Sequence, residues 1–389
     1  MPALRVAISV FAFFFLALPA AAQTIDYKRL DERLTALMSD PQMVGLAVAV
    51  IENGDIAFAE GYGVTQRDGA PVTADTVFRW ASLSKGVAST MAGLVAEDGL
   101  FSLTDAIGDY SSSLRLPRSG HQTASLADVL SHRLGIVNNA YDTRLEDGRD
   151  PVDIRRALSS LKPLCPVSDC HTYQNVAFDA IAEAIENVVG DSYADAVQKR
   201  LFEPLYMTNA SLGRAALLAS DNWARPYAHR RGRIAPTQRE VRPDYYRVPA
   251  AGGVNGSILD LARFARAQMG LAPDVLPAGV LQEIHLPRIH TTREQGSINR
   301  RYAGRMKQAK YALGWRVYDY AGNRVVGHRG AVQGYRSLIL FDPEKDTGVV
   351  ALWNSSARRP VGVQFEVMDM AFGLPAQDWL GVDASAANH

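Results

Sequence analysis

Thr76-Val77-Phe78-Arg79-Trp80-Ala81-Ser82-Leu83-Ser84-Lys85 changes character at its centre. The residues up to Ala81 read as extended, whereas from Gly86 to Asp98 the apolar residues Val87, Met91, Leu94 and Val95 recur at helical spacing and the pattern stops at Gly99. Ser82 therefore stands at a helix N-terminus, where unpaired backbone N–H groups and the helix dipole favour negative charge on its oxygen. Residue i+3 returns to the same face and brings the Lys85 ammonium alongside, which is what an activated serine nucleophile requires. A second Ser-x-x-Lys, Ser159-Ser160-Leu161-Lys162, reads differently. Pro151 to Leu161 has the look of a short helix and Pro163 forbids its continuation, so Ser159 falls at a C-terminal end, where the dipole opposes an alkoxide.

On either side of this helix the chain is strand-like. Asp26 to Ser39 carries Leu30, Leu34, Leu37 and Met38 on one face and reads as an amphipathic helix ended by Pro41. Val44 to Ile51 and Ile56 to Ala59 then flank Asn53-Gly54, a strong hairpin signal. Near the other end, Tyr311 to Tyr318, Asn323 to Gly327, Tyr335 to Phe341 and Gly348 to Trp353 read as strands, followed by a helix from Pro360 to Phe372. The middle, to about Arg305, is mostly helical. The expected fold is α/β: one antiparallel sheet built from both chain ends, flanked by helices, with an inserted mainly helical region. In residue ranges, 1–22 is a targeting segment, 23–375 the domain (sheet part 23–85 and 306–375, helical part 86–305) and 376–389 a tail.

Composition narrows the function. Equal acidic and basic counts, 41 each, leave no field to hold a polyanion, so nucleic acid is not an expected partner. The stretches Arg230-Arg231-Gly232-Arg233 and Arg300-Arg301 read as solvated loops. Arg5, the apolar run Val6 to Leu18 and Ala20-Ala21-Ala22 before Gln23 read as a secretory signal, implying a periplasmic or secreted mature chain with no stable membrane anchor after cleavage. Export makes a local Cys165–Cys170 disulfide the leading reading, with two packed thiols as the alternative; a metal site using His171 lacks a convincing fourth ligand. Neither metal nor cofactor is expected.

Two further motifs join Ser82. Of the fifteen tyrosines, only Tyr173 is followed two residues later by Asn, in Tyr173-Gln174-Asn175, and His328-Arg329-Gly330 is the only His-x-Gly. In this order the three elements resemble the signature set of serine β-lactamases and penicillin-binding proteins, closest to the branch of class C β-lactamases, D-Ala-D-Ala carboxypeptidases, D-aminopeptidases and related esterases. Pro204-Leu205-Tyr206-Met207, Ala251-Gly252-Gly253 and Gly327 with Gly334 add to the match. The resemblance implies acyl transfer through an acyl-serine: Ser82 attacks, Lys85 or Tyr173 takes its proton, Asn175 donates its amide to Lys85 and to substrate, and the N–H groups of Ser82 and Ala331 form the oxyanion hole. His328, Gly330 and Ala331 would border the substrate. It also implies a small-molecule or peptide substrate, peptidoglycan fragments among the candidates.

His328 departs from the lysine usual in class C enzymes. An ordinary histidine is largely neutral at pH 7 and titrates near pH 6.5, so it offers a hydrogen bond and little fixed charge for a carboxylate. Arg358 and Arg359 are candidate substitutes for that charge, surface solvation being the plainer reading; His132, His229, His285 and His290 read as structural. The expectation is therefore a hydrolase of D-Ala-type peptides or small esters, with β-lactams slow substrates or inhibitors. Its alternatives are a true class C-like β-lactamase and a penicillin-binding or sensory module that acylates without turnover.

Overall fold

A computed structural model describes residues 25–229, 232–302 and 304–383. The targeting segment, Arg230, Arg231 and the last six residues of the tail lie outside the described residues. Asn53 (φ 52°) and Gly54 (φ 83°) both adopt the left-handed conformation that a type I′ turn needs, and they join the strands Gly45–Glu52 and Asp55–Gly63. Along the first of these, Leu46, Val48 and Val50 enter one core while Ala47, Ala49 and Ile51 enter another. A strand buried on both faces reads as an unbroken apolar run, as this one does.

The free edge of that strand pairs antiparallel with Thr347–Trp353, in register from Leu46↔Trp353 to Ile51↔Gly348. Beyond it follow Tyr335–Asp342, Asn323–Val332, Arg316–Tyr320, Met306–Tyr311 and the short Ile289–His290, which complete an eight-stranded sheet. Every pairing is antiparallel, so both chain ends build one sheet, as the sequence implies. Helices Tyr27–Leu37 and Val363–Ala371 cover one face through Leu30, Leu34 and Phe365. The helical region covers the other, led by Ser84–Glu97 and Ile258–Gln268. Among the described residues no helix is long and apolar enough to cross a membrane.

Two local expectations are corrected. Tyr311 to Tyr318 is not one strand: the chain turns between Tyr311 and Arg316, with Gly314 at φ 73°. A Cβ on Gly314 would stand 2.5 Å from the Lys85 carbonyl oxygen, so the turn is where the sheet receives the helix bearing Lys85. The extended stretch before Ser82 also pairs with the helical region in a small sheet, Phe78–Arg79, Val254–Gly256 and Ser211–Leu212, of which the latter two strands are too short for periodicity to reveal.

Candidate active site

Ala81–Leu83 forms a 3-10 turn that runs directly into the Ser84–Glu97 helix. Ala81 has φ 50°, a conformation costing a non-glycine residue about 1–2 kcal/mol. Hydrogen bonds offset that strain. Trp80 N donates to Val254 O (2.9 Å), Ser337 Oγ to Trp80 O (2.6 Å) and Ser84 Oγ to Ala81 O (2.7 Å), while Val254 N donates to Ser84 Oγ (3.0 Å). With Ala81 and Leu83 buried and Ser82 half-buried, the strained turn directs Ser82 into a cleft of about 310 Å³ that Tyr173, Asn175, His328 and Ala331 also line.

Gly330 serves this turn. A Cβ there would lie 2.1 Å from Ser337 Oγ and 2.4 Å from the Trp80 carbonyl oxygen, so the glycine permits a close approach of strand to turn. Gly330→Ala should lower stability by about 1–3 kcal/mol and slow acylation by displacing Ser82. Denaturation and single-turnover rates test this; an unchanged variant would show that the contact relaxes without cost.

Lys85 is fully buried, and its ammonium donates to Asn175 Oδ1 (2.7 Å) and Ala251 O (3.0 Å) while lying 4.7 Å from the centroid of the Tyr173 ring. Two of three positions on the nitrogen are thereby used. The third has no hydrogen-bond partner among the described residues, and Ser82 stands one turn back in the chain. The direction expected at Asn175 is reversed: its carbonyl accepts from Lys85, and its amide donates to Asp142 Oδ2 (2.6 Å). Asp142 was missed. It follows Tyr141, itself at φ 59°, and burial pushes its carboxyl above the ordinary range against the pull of Asn175 and Lys85. Its other oxygen is buried without a hydrogen-bond partner among the described residues. Tyr173 is held through its backbone, its N–H donating to Asn138 Oδ1 (2.7 Å) and its carbonyl accepting from Asn139 N (2.7 Å).

His328 lies where the Asn323–Val332 strand outruns its neighbour, the pairing with Arg316–Tyr320 ending at Arg316↔Gly327. Both ring nitrogens are engaged within the protein: Nε2 lies 3.0 Å from Tyr311 Oη and Nδ1 3.0 Å from the Arg329 carbonyl. The ordinary titration expected of it is corrected too. Burial, then the charges of Arg316, Lys85 and Arg329, hold its pKa well below the usual histidine value, against the pull of the Arg329 carbonyl. The ring thus stays neutral as pH falls through about 6.5, and kcat/KM on a neutral ester should show no histidine step between about pH 6 and 7. A step there that His328→Gln removes would overturn this. His132 is buried beneath the cleft wall, its ring centroid 4.4 Å from that of Tyr173. His285 bonds Gln268 Oε1 (3.0 Å) inside the core.

Fixed positive charge comes from elsewhere than expected. Arg358 and Arg359 are exposed, and Arg359 pairs with Asp40 (3.3 Å). Arg316 and Arg329 line the cleft and share one carboxylate, Glu294, at 3.5 Å from Arg316 and in direct contact with Arg329. Cys165 and Cys170 are disulfide-bonded, so neither sulfur is free to bind metal. The bridged loop hydrogen-bonds along the His132 segment through Leu164 N to Gly135 O (2.8 Å) and Ser168 N to Arg133 O (2.8 Å). Thr172 N, next to Tyr173, donates to His132 O (2.9 Å).

Residues 30–367 match the beta-lactamase family model. Unguisins hydrolase ungD of Aspergillus violaceofuscus is 23% identical over 86% of this chain, which spans 63% of that protein's length. Penicillin-binding protein 4 of Amycolatopsis lactamdurans is 26% identical over 84% of each chain. An octameric penicillin-binding protein homologue from Pyrococcus abyssi superposes with a TM-score of 0.80 at 22% identity, covering 92% of this chain and 80% of its own.

Proposed function

The chain belongs to the beta-lactamase family, and on that premise we propose that it hydrolyses amide or ester bonds through an acyl-serine on Ser82. Lys85 or Tyr173 takes the hydroxyl proton as Ser82 attacks the carbonyl, and the N–H groups of Ser82 and Ala331 receive the oxyanion. The same base returns the proton to the leaving group, and water then cleaves the acyl-serine.

We further propose D-Ala-type peptides or small carboxylate-bearing esters as substrates, peptidoglycan fragments included, with β-lactams turned over slowly. One observation carries this reading: Arg316 and Arg329 line the same cleft as Ser82 with a single carboxylate between them. That cationic wall suits a substrate carboxylate better than neutral His328 does. Residues 1–22 are proposed as an export signal, which suits the disulfide.

A panel of a neutral p-nitrophenyl ester, a D-Ala-D-Ala peptide with a free carboxylate and a chromogenic cephalosporin tests the proposal. The kcat/KM ratio of peptide to neutral ester should fall about tenfold in Arg316→Gln, the scale of a partly exposed ion pair. An unchanged ratio would remove the carboxylate assignment, and a fluorescent penicillin that labels persistently without turnover of any panel member would favour the acylating module instead.

A further inference from the structure

Between the cleft and the core runs a file of polar groups whose donor and acceptor roles are set by their two ends. Gln174 N–H can only donate, 3.2 Å from His132 Nδ1, so Nδ1 accepts and a neutral His132 carries its hydrogen on Nε2. The Arg329 carbonyl can only accept, 3.0 Å from His328 Nδ1, so His328 carries its hydrogen there and leaves Nε2 an acceptor. Tyr311 Oη stands between, 3.1 Å from His132 Nε2 and 3.0 Å from His328 Nε2. It accepts from the first ring and donates to the second, and no group in the file is left to choose. His132, Gln174, Tyr311 and His328 are all buried, and His132 is held at φ 59°, an uncommon conformation for a residue with a Cβ.

We propose that His132 and Tyr311 are positioning residues of the acyl-transfer site: His132 turns the Tyr311 hydroxyl to donate to Nε2 of the Nδ1–H ring of His328, which anchors that ring and thereby the edge segment 328–331 that leads to the Ala331 N–H. His132 also backs the Tyr173 ring, so one buried file sets both sides of Ser82. On this reading His328 exchanges no proton with substrate, since both its nitrogens are spent inside the protein. Its place is that of a spacer whose orientation Tyr311 dictates. The kinetic part of the proposal rests on the acyl-serine reading; the tautomer part does not.

Long-range 1H–15N correlation spectra of the 15N-histidine-labelled protein near pH 7, assigned with His132→Gln and His328→Gln, test it directly. Wild type should show His328 as the Nδ1–H tautomer and His132 as the Nε2–H tautomer. Tyr311→Phe keeps the ring and deletes the oxygen; His328 should keep its Nδ1–H on the Arg329 carbonyl while its Nε2 resonance shifts with the loss of a hydrogen bond, and kcat should fall about ten- to hundredfold with KM changed less than about threefold, as when a supporting contact to a reacting group is lost. His328 found as Nε2–H or charged in wild type would overturn the proposal, and this reading stands even if Tyr311→Phe does not fold. So would a folded Tyr311→Phe whose kcat per active molecule is unchanged. If Ser82→Ala still acylates, the functional reading fails while the tautomer assignments are judged on their own spectra.

Discussion

Ser82→Ala is expected to lose all covalent acylation, with turnover lowered by at least about 10⁴-fold, the scale seen when a catalytic nucleophile is deleted. The expectation follows from position: Ser82 alone leaves the buried Ala81–Leu83 turn for the cleft, at the N-terminal end of a 14-residue helix. Intact mass after incubation with a penicillin or an activated ester reads the result, because the acyl adduct adds a known mass. Ser159→Ala is the matched control. Ser159 is exposed, at the end of its helix, and its hydroxyl donates to the Arg156 carbonyl (2.9 Å), so acylation should stay within about twofold of wild type. An adduct surviving on the Ser82→Ala protein would sink the assignment of the nucleophile.

Lys85→Met should slow acylation by about 10²–10⁴-fold, the contribution of a positioned proton-transfer group, with a smaller change in KM. Methionine fills similar space but cannot donate to Asn175 Oδ1 or Ala251 O, and leaving each buried acceptor unpaired costs about 1–3 kcal/mol. The melting temperature should therefore fall as well. Rates must be expressed per folded molecule, with circular dichroism establishing the folded fraction. Pre-steady-state burst kinetics on a p-nitrophenyl ester separate acylation from deacylation. A burst rate within tenfold of wild type would exclude Lys85 as the proton acceptor and move that role to Tyr173.

The architecture was legible because its signals are local and repeated. Asn53-Gly54 forces a hairpin, alternating or unbroken apolar runs mark strands, and Ser82 is placed at a helix start by the switch in periodicity around it. Ser82, Tyr173, Asn175 and His328 meet in one cleft although 246 positions separate the first from the last (328 − 82). Asp142, Arg316, Tyr311 and His132 left no comparable mark. Each lies in a segment with an ordinary pattern of its own and joins the site only through pairings across the sheet and the 132–142 region. Asp142 follows Tyr141, whose left-handed backbone no residue type announces. His132 has no ligand spacing because its partner is a tyrosine hydroxyl 179 residues away, and pairings of that range have no sequence period. The glycine in His-x-Gly, by contrast, was visible, but its close approach to the Trp80 carbonyl has no signature in the sequence.

The pairing of Gly45–Glu52 with Thr347–Trp353 has a consequence for the order in which the molecule forms. Made early in synthesis, the first hairpin presents Leu46-Ala47-Val48-Ala49-Val50-Ile51 with one edge unsatisfied until about three hundred further residues exist. Closing so long a loop delays the reward for every contact on that edge. Until then the hairpin is an apolar edge open to any passing strand, the state in which such segments aggregate. Closure of the sheet and assembly of the cleft are thus parts of one late event, since the last strands to arrive complete the sheet holding Arg316, His328 and Ala331. On the proposed function, a nascent chain should take up no acyl group until its final quarter is in place.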